Sequence, residues 1–177
     1  PCFAFGGSCL PKDIRSLTYK AKRLDVNTPV LNAILPSNQH QIAIGLQRIT
    51  AMQRRKIGIL GLSFKAGTDD IRESPLVELT ESLIGKGYDV RIYDRGISLA
   101  RLCGGNKEYV ERKIPHIARL MVSRIRDVLD HAEIVVIGNK APEFRDVADL
   151  LRPGQELVDL VGLAERSTEE AYAGLSA

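Results

Sequence analysis

Apolar positions change their spacing at Lys56, and that change divides the chain. Over residues 11–24, PKDIRSLTYKAKRL, Ile14, Leu17, Ala21 and Leu24 recur at three and four and predict an amphipathic helix. Asp25-Val26-Asn27 is a break. Thr28-Pro29 reads as an N-cap followed by proline at the first helical position. Val30, Leu31, Ile34, Leu35, Ile42, Ala43, Leu46 and Ile49 then carry a long helix over 28–53. Pro36 inside it is expected to kink it or split it in two, because proline lacks the N–H and crowds the preceding turn. Such a helix, with nothing local to cover it, suggests packing on another subunit or domain. A helix lying across its own domain is the alternative.

Beyond Lys56 the apolar residues come in short runs. Ile57-Gly58-Ile59-Leu60 has the form of a strand buried on both faces in a parallel sheet. A polar loop, 61–73, follows, and Ser74-Pro75 caps and opens a helix carrying Leu76, Leu79, Leu83 and Ile84, closed by Gly87. Val90–Tyr93 is a second strand ending at Asp94, and Ile134–Ile137 is the clearest strand of all. Residues 97–121 suggest short helices around Pro115, and Ser123 a cap for a helix over Ile125, Val128 and Leu129. A short helix over Pro142–Leu151, a fourth strand at Leu157–Leu160 and a loose helix from Ser167 to Ala177 complete the reading. Strands alternating with helices imply right-handed crossovers, hence an α/β, Rossmann-like parallel sheet. The simplest winding sets strands 2 and 3 on either side of strand 1. The order then reverses at strand 1, and ligands bind outside the carboxyl ends at such a point. That predicts a site between loop 61–73 and Gly138-Asn139-Lys140.

Composition narrows this picture. With 177 residues, 44% of them hydrophobic, the chain is long enough for one or two compact units. A net charge of +3 is mild, and Arg54-Arg55-Lys56 reads as a solvated strand entrance, so nucleic acid is not an expected partner. Cys2, Cys9 and Cys103 are an odd number without metal-like spacing. They argue against a disulfide framework or a metal site and fit a reducing, cytoplasmic setting. No apolar run reaches membrane-spanning length and no signal peptide is visible. The start at Pro1, with a notable cysteine nine residues in, reads as a piece of a longer protein.

That cysteine lies in Gly6-Gly7-Ser8-Cys9-Leu10-Pro11-Lys12-Asp13. Glycines let the backbone take positive φ or approach a ligand closely. Pro11 suits a first helical turn, and the Asp13 carboxylate suits the positive end of the helix dipole. Cys9 is therefore expected at a loop-to-helix junction, beside unpaired N–H groups and Lys12, where a thiol is drawn towards thiolate. A nucleophile and an inert buried cysteine are both consistent with these residues.

Loop 61–73 offers Lys65 and Arg72 to an anionic ligand, while Asp69 and Asp70 could accept from sugar hydroxyls. Equally, the two aspartates could make turn and capping bonds and pair with Arg72. Gly61-Leu62-Ser63 follows the first strand, so neither G-x-G-x-x-G nor a P-loop is present. Asp94 sits where a ribose-binding acid would stand, but without the glycine fingerprint it reads better as a strand-end cap. His40, His116 and His131 are scattered and read as surface or helix-end residues, and Cys2 and Cys103 as non-catalytic.

Phe3-Ala4-Phe5 followed by GGSCLPKD resembles the catalytic-cysteine segment of the UDP-glucose/GDP-mannose dehydrogenase family, and Phe64-Lys65-Ala66-Gly67-Thr68-Asp69-Asp70-Ile71-Arg72-Glu73-Ser74-Pro75 its other signature. Two long motifs in the right order are far more specific than either alone, and the likeness extends to about Val161. The resemblance implies that residues 1–53 are the end of a central helical dimerisation region and residues 54–177 a C-terminal nucleotide-sugar-binding domain. The NAD-binding Rossmann domain of the family would precede them. It implies an NAD-dependent oxidation of a nucleotide sugar from C6 alcohol to carboxylate, and the motif wording leans to GDP-mannose over UDP-glucose. By motif, Cys9 matches the cysteine that carries the thiohemiacetal and thioester, and Asp13 the aspartate beside it. Lys12 and Arg72 match residues near the NAD, and Phe3, Gly6 and Lys65 match substrate contacts. The family's catalytic lysine and glutamate have no counterpart here, so this chain alone is expected to turn over nothing. A homodimer through helix 28–53 and a role in acidic polysaccharide synthesis are further implications. Two rivals stand beside this reading: a cysteine-dependent acyl transferase or hydrolase, which needs a histidine near Cys9, and a non-catalytic nucleotide-binding or dimerisation module.

Overall fold

The continuous apolar runs do become strands, and their two faces are buried against different helices. In the structure, a computed structural model that describes residues 3–97, 115 and 117–163, the strands are β1 (Lys56–Leu60), β2 (Asp89–Tyr93), β3 (Ile134–Ile137) and β4 (Glu156–Asp159). The helices are α1 (Leu10–Arg23), α2 (Pro29–Ala51), α3 (Pro75–Gly85), α4 (Ile117–Leu120) and α5 (Ile125–His131). All strand pairs are parallel, in the order β2-β1-β3-β4, so the winding reverses at β1 as the sequence predicts.

Alternation sorts the core into two layers. Ile57 and Ile59 of β1, with Ile134 and Val136 of β3, face Leu79 and Leu83 of α3 and Ile42 and Ile49 of α2. Leu60, Val135 and Ile137 face the opposite layer, with Val128 and Leu129 of α5 and Phe144. Each fully buried isoleucine contributes about 2–3 kcal/mol relative to exposure. Gly58 belongs to the α5 face: a Cβ there would lie 2.3 Å from Val128 Cγ1, so its bare backbone lets α5 approach the sheet. Met121 runs beside Ile92, and the Val122 N–H donates to the Ile92 carbonyl at 2.9 Å, covering the β2 edge.

Several local expectations need correction. α2 is one continuous helix through Pro36, and Thr28 occupies its N-cap without a side-chain capping bond. The N-cap of α5 is Arg124, not Ser123; Arg124 pairs with Asp127 at 2.6 Å. Pro142–Leu151 is not one helix but two 3₁₀ turns, Pro142–Phe144 and Ala148–Leu150. Its buried residues, Phe144 and Val147, are three apart, which is the period of a 3₁₀ turn. By contrast Ser74 caps α3 as expected, and Gly87, at φ 81°, closes it. Cys2, Cys103, His116, most of 97–121 and the tail 167–177 lie outside the described residues.

Candidate functional site

Cys9 is the N-cap residue of α1, at the loop-to-helix junction, and its thiol is free and exposed. Pro11 is in the first turn and Asp13 follows there, its N–H donating to the Cys9 carbonyl at 2.9 Å. Lys12 and Asp13 form an exposed ion pair at 3.2 Å. The Ser8 hydroxyl stands 3.8 Å from Cys9 Sγ.

The loop that leads to Cys9 lies on the 61–75 loop. The Gly7 N–H donates to the Arg72 carbonyl at 3.1 Å. A Cβ on Gly6 would fall 2.2 Å from the Glu73 carbonyl oxygen and 2.8 Å from Pro75 Cδ, so only glycine fits. Gly7, at φ 85°, leaves the same kind of room for the Phe64 ring. Past the cysteine, Arg15 of α1 grips Glu73 with two parallel bonds of 2.7 and 2.6 Å. Before it, Asn38 of α2 accepts from the Phe5 N–H and donates to the Phe5 carbonyl, both at 2.9 Å.

Arg72 is set from below by Asp70, whose carboxylate takes Nε at 2.9 Å, Nη2 at 3.0 Å and the Arg72 N–H at 3.0 Å. Those bonds to Arg72 hold the Asp70 carboxyl below its ordinary value, with a smaller contribution from the Ser8 hydroxyl. The Arg72 guanidinium is held above its ordinary value chiefly by Asp70, and Cys9 adds an electrostatic contribution of its own. The chain thus brings Cys9, Ser8, Asp70 and Arg72 into one neighbourhood, and the turn-and-pairing reading of Asp70 is the observed one.

Other predicted residues have different surroundings. Phe3 is buried, its ring packed where a Gly45 side chain would be, 2.6 Å from that missing Cβ. Lys65 is exposed, and its carbonyl accepts from the Ser63 hydroxyl at 3.1 Å. Where a crevice is expected between β1 and β3, the polar side chains bond to one another. Asp94 turns inward and accepts from the Leu62 and Ser63 N–H groups and the Ser63 hydroxyl at 2.8–2.9 Å, while its other oxygen takes Gly96 N–H at 2.9 Å. Asn139 donates to Ser63 at 3.1 Å and is itself buried. Asp94 is a cap, therefore, and of 138–140 only Lys140 is exposed. Sequence reasoning missed Asn38, Arg15 and Ser63, whose partners lie 31 to 76 residues away. His131 ends α5 with Nε2 3.1 Å from the Asp89 carbonyl, and His40 is exposed on α2. Among the described residues no cluster of three or more His, Cys, Asp or Glu is placed to hold a metal, and no helix is long and apolar enough to cross a membrane.

A doubly wound parallel sheet, with the loop that leads to the exposed Cys9 seated on the loop after its first strand, defines an α/β, Rossmann-like domain with a free thiol at a helix start. Residues 58–165 match the UDP-binding domain of the UDP-glucose/GDP-mannose dehydrogenase family and residues 1–40 its central domain. The chain belongs to that family. A GDP-mannose 6-dehydrogenase of Pseudomonas aeruginosa is 51% identical over 175 residues, covering 99% of this chain and 40% of the relative. The crystal structure of a ternary complex of GDP-mannose dehydrogenase from the same organism superposes with a TM-score of 0.88 at 52% identity, over 97% of this chain and 39% of that one. A UDP-glucose dehydrogenase of Pyrobaculum islandicum gives 0.74 at 26% identity, over 92% and 35%. The chain spans about two fifths of the length of the curated relatives it matches.

Proposed function

We propose that the chain is the C-terminal part of an NAD-dependent nucleotide-sugar 6-dehydrogenase that oxidises GDP-mannose to GDP-mannuronate. Residues 1–53 form the end of its central region and 54–177 the nucleotide-sugar-binding domain. The observation that carries the reading is the seating of Cys9, exposed at the start of α1, on the loop that holds Arg72. Cys9 adds through sulfur to the C6 aldehyde, and the alkoxide takes a proton, giving a thiohemiacetal. Loss of hydride and of that proton leaves a thioester. Water then attacks the acyl carbon, and the C–S bond breaks with the pair returning to sulfur. Asp13 orients or deprotonates that water. NAD⁺, when bound, accepts the hydride at each of the two oxidations. At the carboxyl ends of β1 and β3 the Asp94, Ser63 and Asn139 side chains bond to one another, so these three are not the groups offered to the cofactor. Lys12 and Arg72, partly or fully exposed around Cys9, do suit the anionic part of a cofactor presented from another domain. Lys65 meets the substrate with its ammonium. Phe3 and Gly6 meet it through their main chain, since the Phe3 ring is buried and Gly6 is walled by Glu73. A homodimer through α2 and a cytoplasmic setting complete the proposal.

UDP-glucose is the second reading, favoured by the UDP-binding description of the matching domain; the relatives at 51% and 52% identity favour GDP-mannose. Calorimetric titration of the chain with GDP-mannose, UDP-glucose and NAD⁺ separates them. Heat with GDP-mannose alone is the expected result, and heat with UDP-glucose alone overturns the choice of substrate. In the intact enzyme Cys9→Ser is expected to abolish the acid product. Retained product would instead favour the non-catalytic module.

A further inference from the structure

We infer that Asn38 is a positioning residue for the cysteine reaction: its side-chain amide holds the Phe5 main chain and so fixes the stretch that delivers Cys9. The inference rests on the nucleophile reading of Cys9. The two bonds, Phe5 N–H to Oδ1 and Nδ2–H to the Phe5 carbonyl, are both 2.9 Å and span 33 residues. Together they copy one rung of a β-ladder, made by a side chain instead of a strand. Only a group that donates and accepts in one plane can do this, and the main chain of Phe5 dictates which end of the amide is which.

The position makes the contact more than local packing. Phe5 lies four residues before Cys9, and the next two residues are pinned on the opposite side, Gly6 against the Glu73 carbonyl and Gly7 by its bond to Arg72. The cysteine loop is thus stretched between α2 and the 61–75 loop. Asn38 supplies the directional hold from α2, and the loop 61–75 supplies the rest. Without the amide, the loop keeps its contacts to Arg72 and Glu73 but loses its register against α2. Sub-ångström to 1 Å displacements of a nucleophile lower turnover by large factors.

Substitution separates positioning from bulk stability. In this chain Asn38→Ala is expected to speed amide exchange at Phe5 by about tenfold or more while leaving β1 and β3 amides unchanged. In the intact enzyme it is expected to lower kcat roughly ten- to hundredfold with the KM for NAD⁺ within about twofold. Asn38→Asp supplies a second readout. As a carboxylate it accepts from Phe5 N–H but opposes the Phe5 carbonyl; once protonated it donates again. Its Phe5 protection, corrected for intrinsic exchange, should therefore recover as pH falls through about 4, the ordinary aspartate range, a profile absent from the parent. Unchanged Phe5 exchange and kcat in Asn38→Ala would sink the inference. So would an Asn38→Asp variant without pH recovery, which also decides the matter if the alanine variant does not fold. Turnover surviving in Cys9→Ser sinks the underlying reading; an inactive Cys9→Ser beside a wild-type-like Asn38→Ala sinks only the role of Asn38.

Discussion

The Asp94 carboxylate serves four donors at the end of β2, and three of them are buried with it. Asp94→Ala strands the Leu62 and Ser63 N–H groups without acceptors and leaves the Ser63 hydroxyl only the Lys65 carbonyl, which costs about 2–4 kcal/mol in all. Urea unfolding should show that loss with an unchanged m-value. Two other carboxylates contribute to the loss of stability in acid. Asp70, bonded to Arg72, and Glu133, which accepts the Lys56 and Arg55 N–H groups, are both held below their ordinary values of 3.8 and 4.5 in the folded chain. The unfolded chain therefore binds protons more readily, so their contribution is complete above about pH 4.5 and is lost as pH falls through the lower folded values. Thermal unfolding scans from neutral to acid pH should show that decline, less steep in Asp70→Asn and Glu133→Gln. The identity of Asp94 as a cap was legible from the missing glycine fingerprint. Its partners were not, because Ser63 is 31 residues away and only the closed sheet brings it near.

At the scale of elements, what carried through from the sequence is periodicity and what failed is context. β1 and β3 were legible because, Lys56 apart, both their faces are buried and every position is apolar or glycine. β2, at the edge, alternates exposed and buried positions, with Val90 and Ile92 turned into the core. Pro142–Leu151 was misread since proline opens an α-helix and a 3₁₀ turn equally well. Leu17 and Leu24 complete a helical stripe on α1, yet they are exposed, and only Ile14 of that stripe is buried. The start of α3 shows a signal that did hold. Ser74 Oγ accepts from Leu76 N–H at 3.3 Å and donates to the Leu62 carbonyl at 2.7 Å, joining the helix to the end of β1. Ser74→Ala removes a cap and leaves a buried carbonyl unsatisfied. It should cost about 1–3 kcal/mol in chemical denaturation, whereas Ser74→Thr should retain most of the stability.

On the scale of the whole molecule, α2 is a helix buried at one end only. Ile42, Gly45 and Ile49 pack against the core, whereas no residue from Pro29 to Gln41 is fully buried. Val30 is 77% exposed, and with Leu24 at 64% and Val26 at 54% it makes an apolar corner at the α1–α2 turn. Exposed apolar residues in isolation are ordinary, but grouped beside a half-covered helix they fit an association surface. The cysteine loop hangs from the same helix through Asn38, so an α2 braced by a second subunit would also brace the loop that presents Cys9. Sedimentation equilibrium is therefore expected to find the chain as a dimer at micromolar concentration. Val30→Glu should convert it to a monomer while shifting its intrinsic unfolding free energy by no more than about 0.5 kcal/mol, since Val30 contributes little to the core of its own subunit. A chain that stays monomeric at about 100 times that concentration would overturn the reading of this corner as a dimer surface.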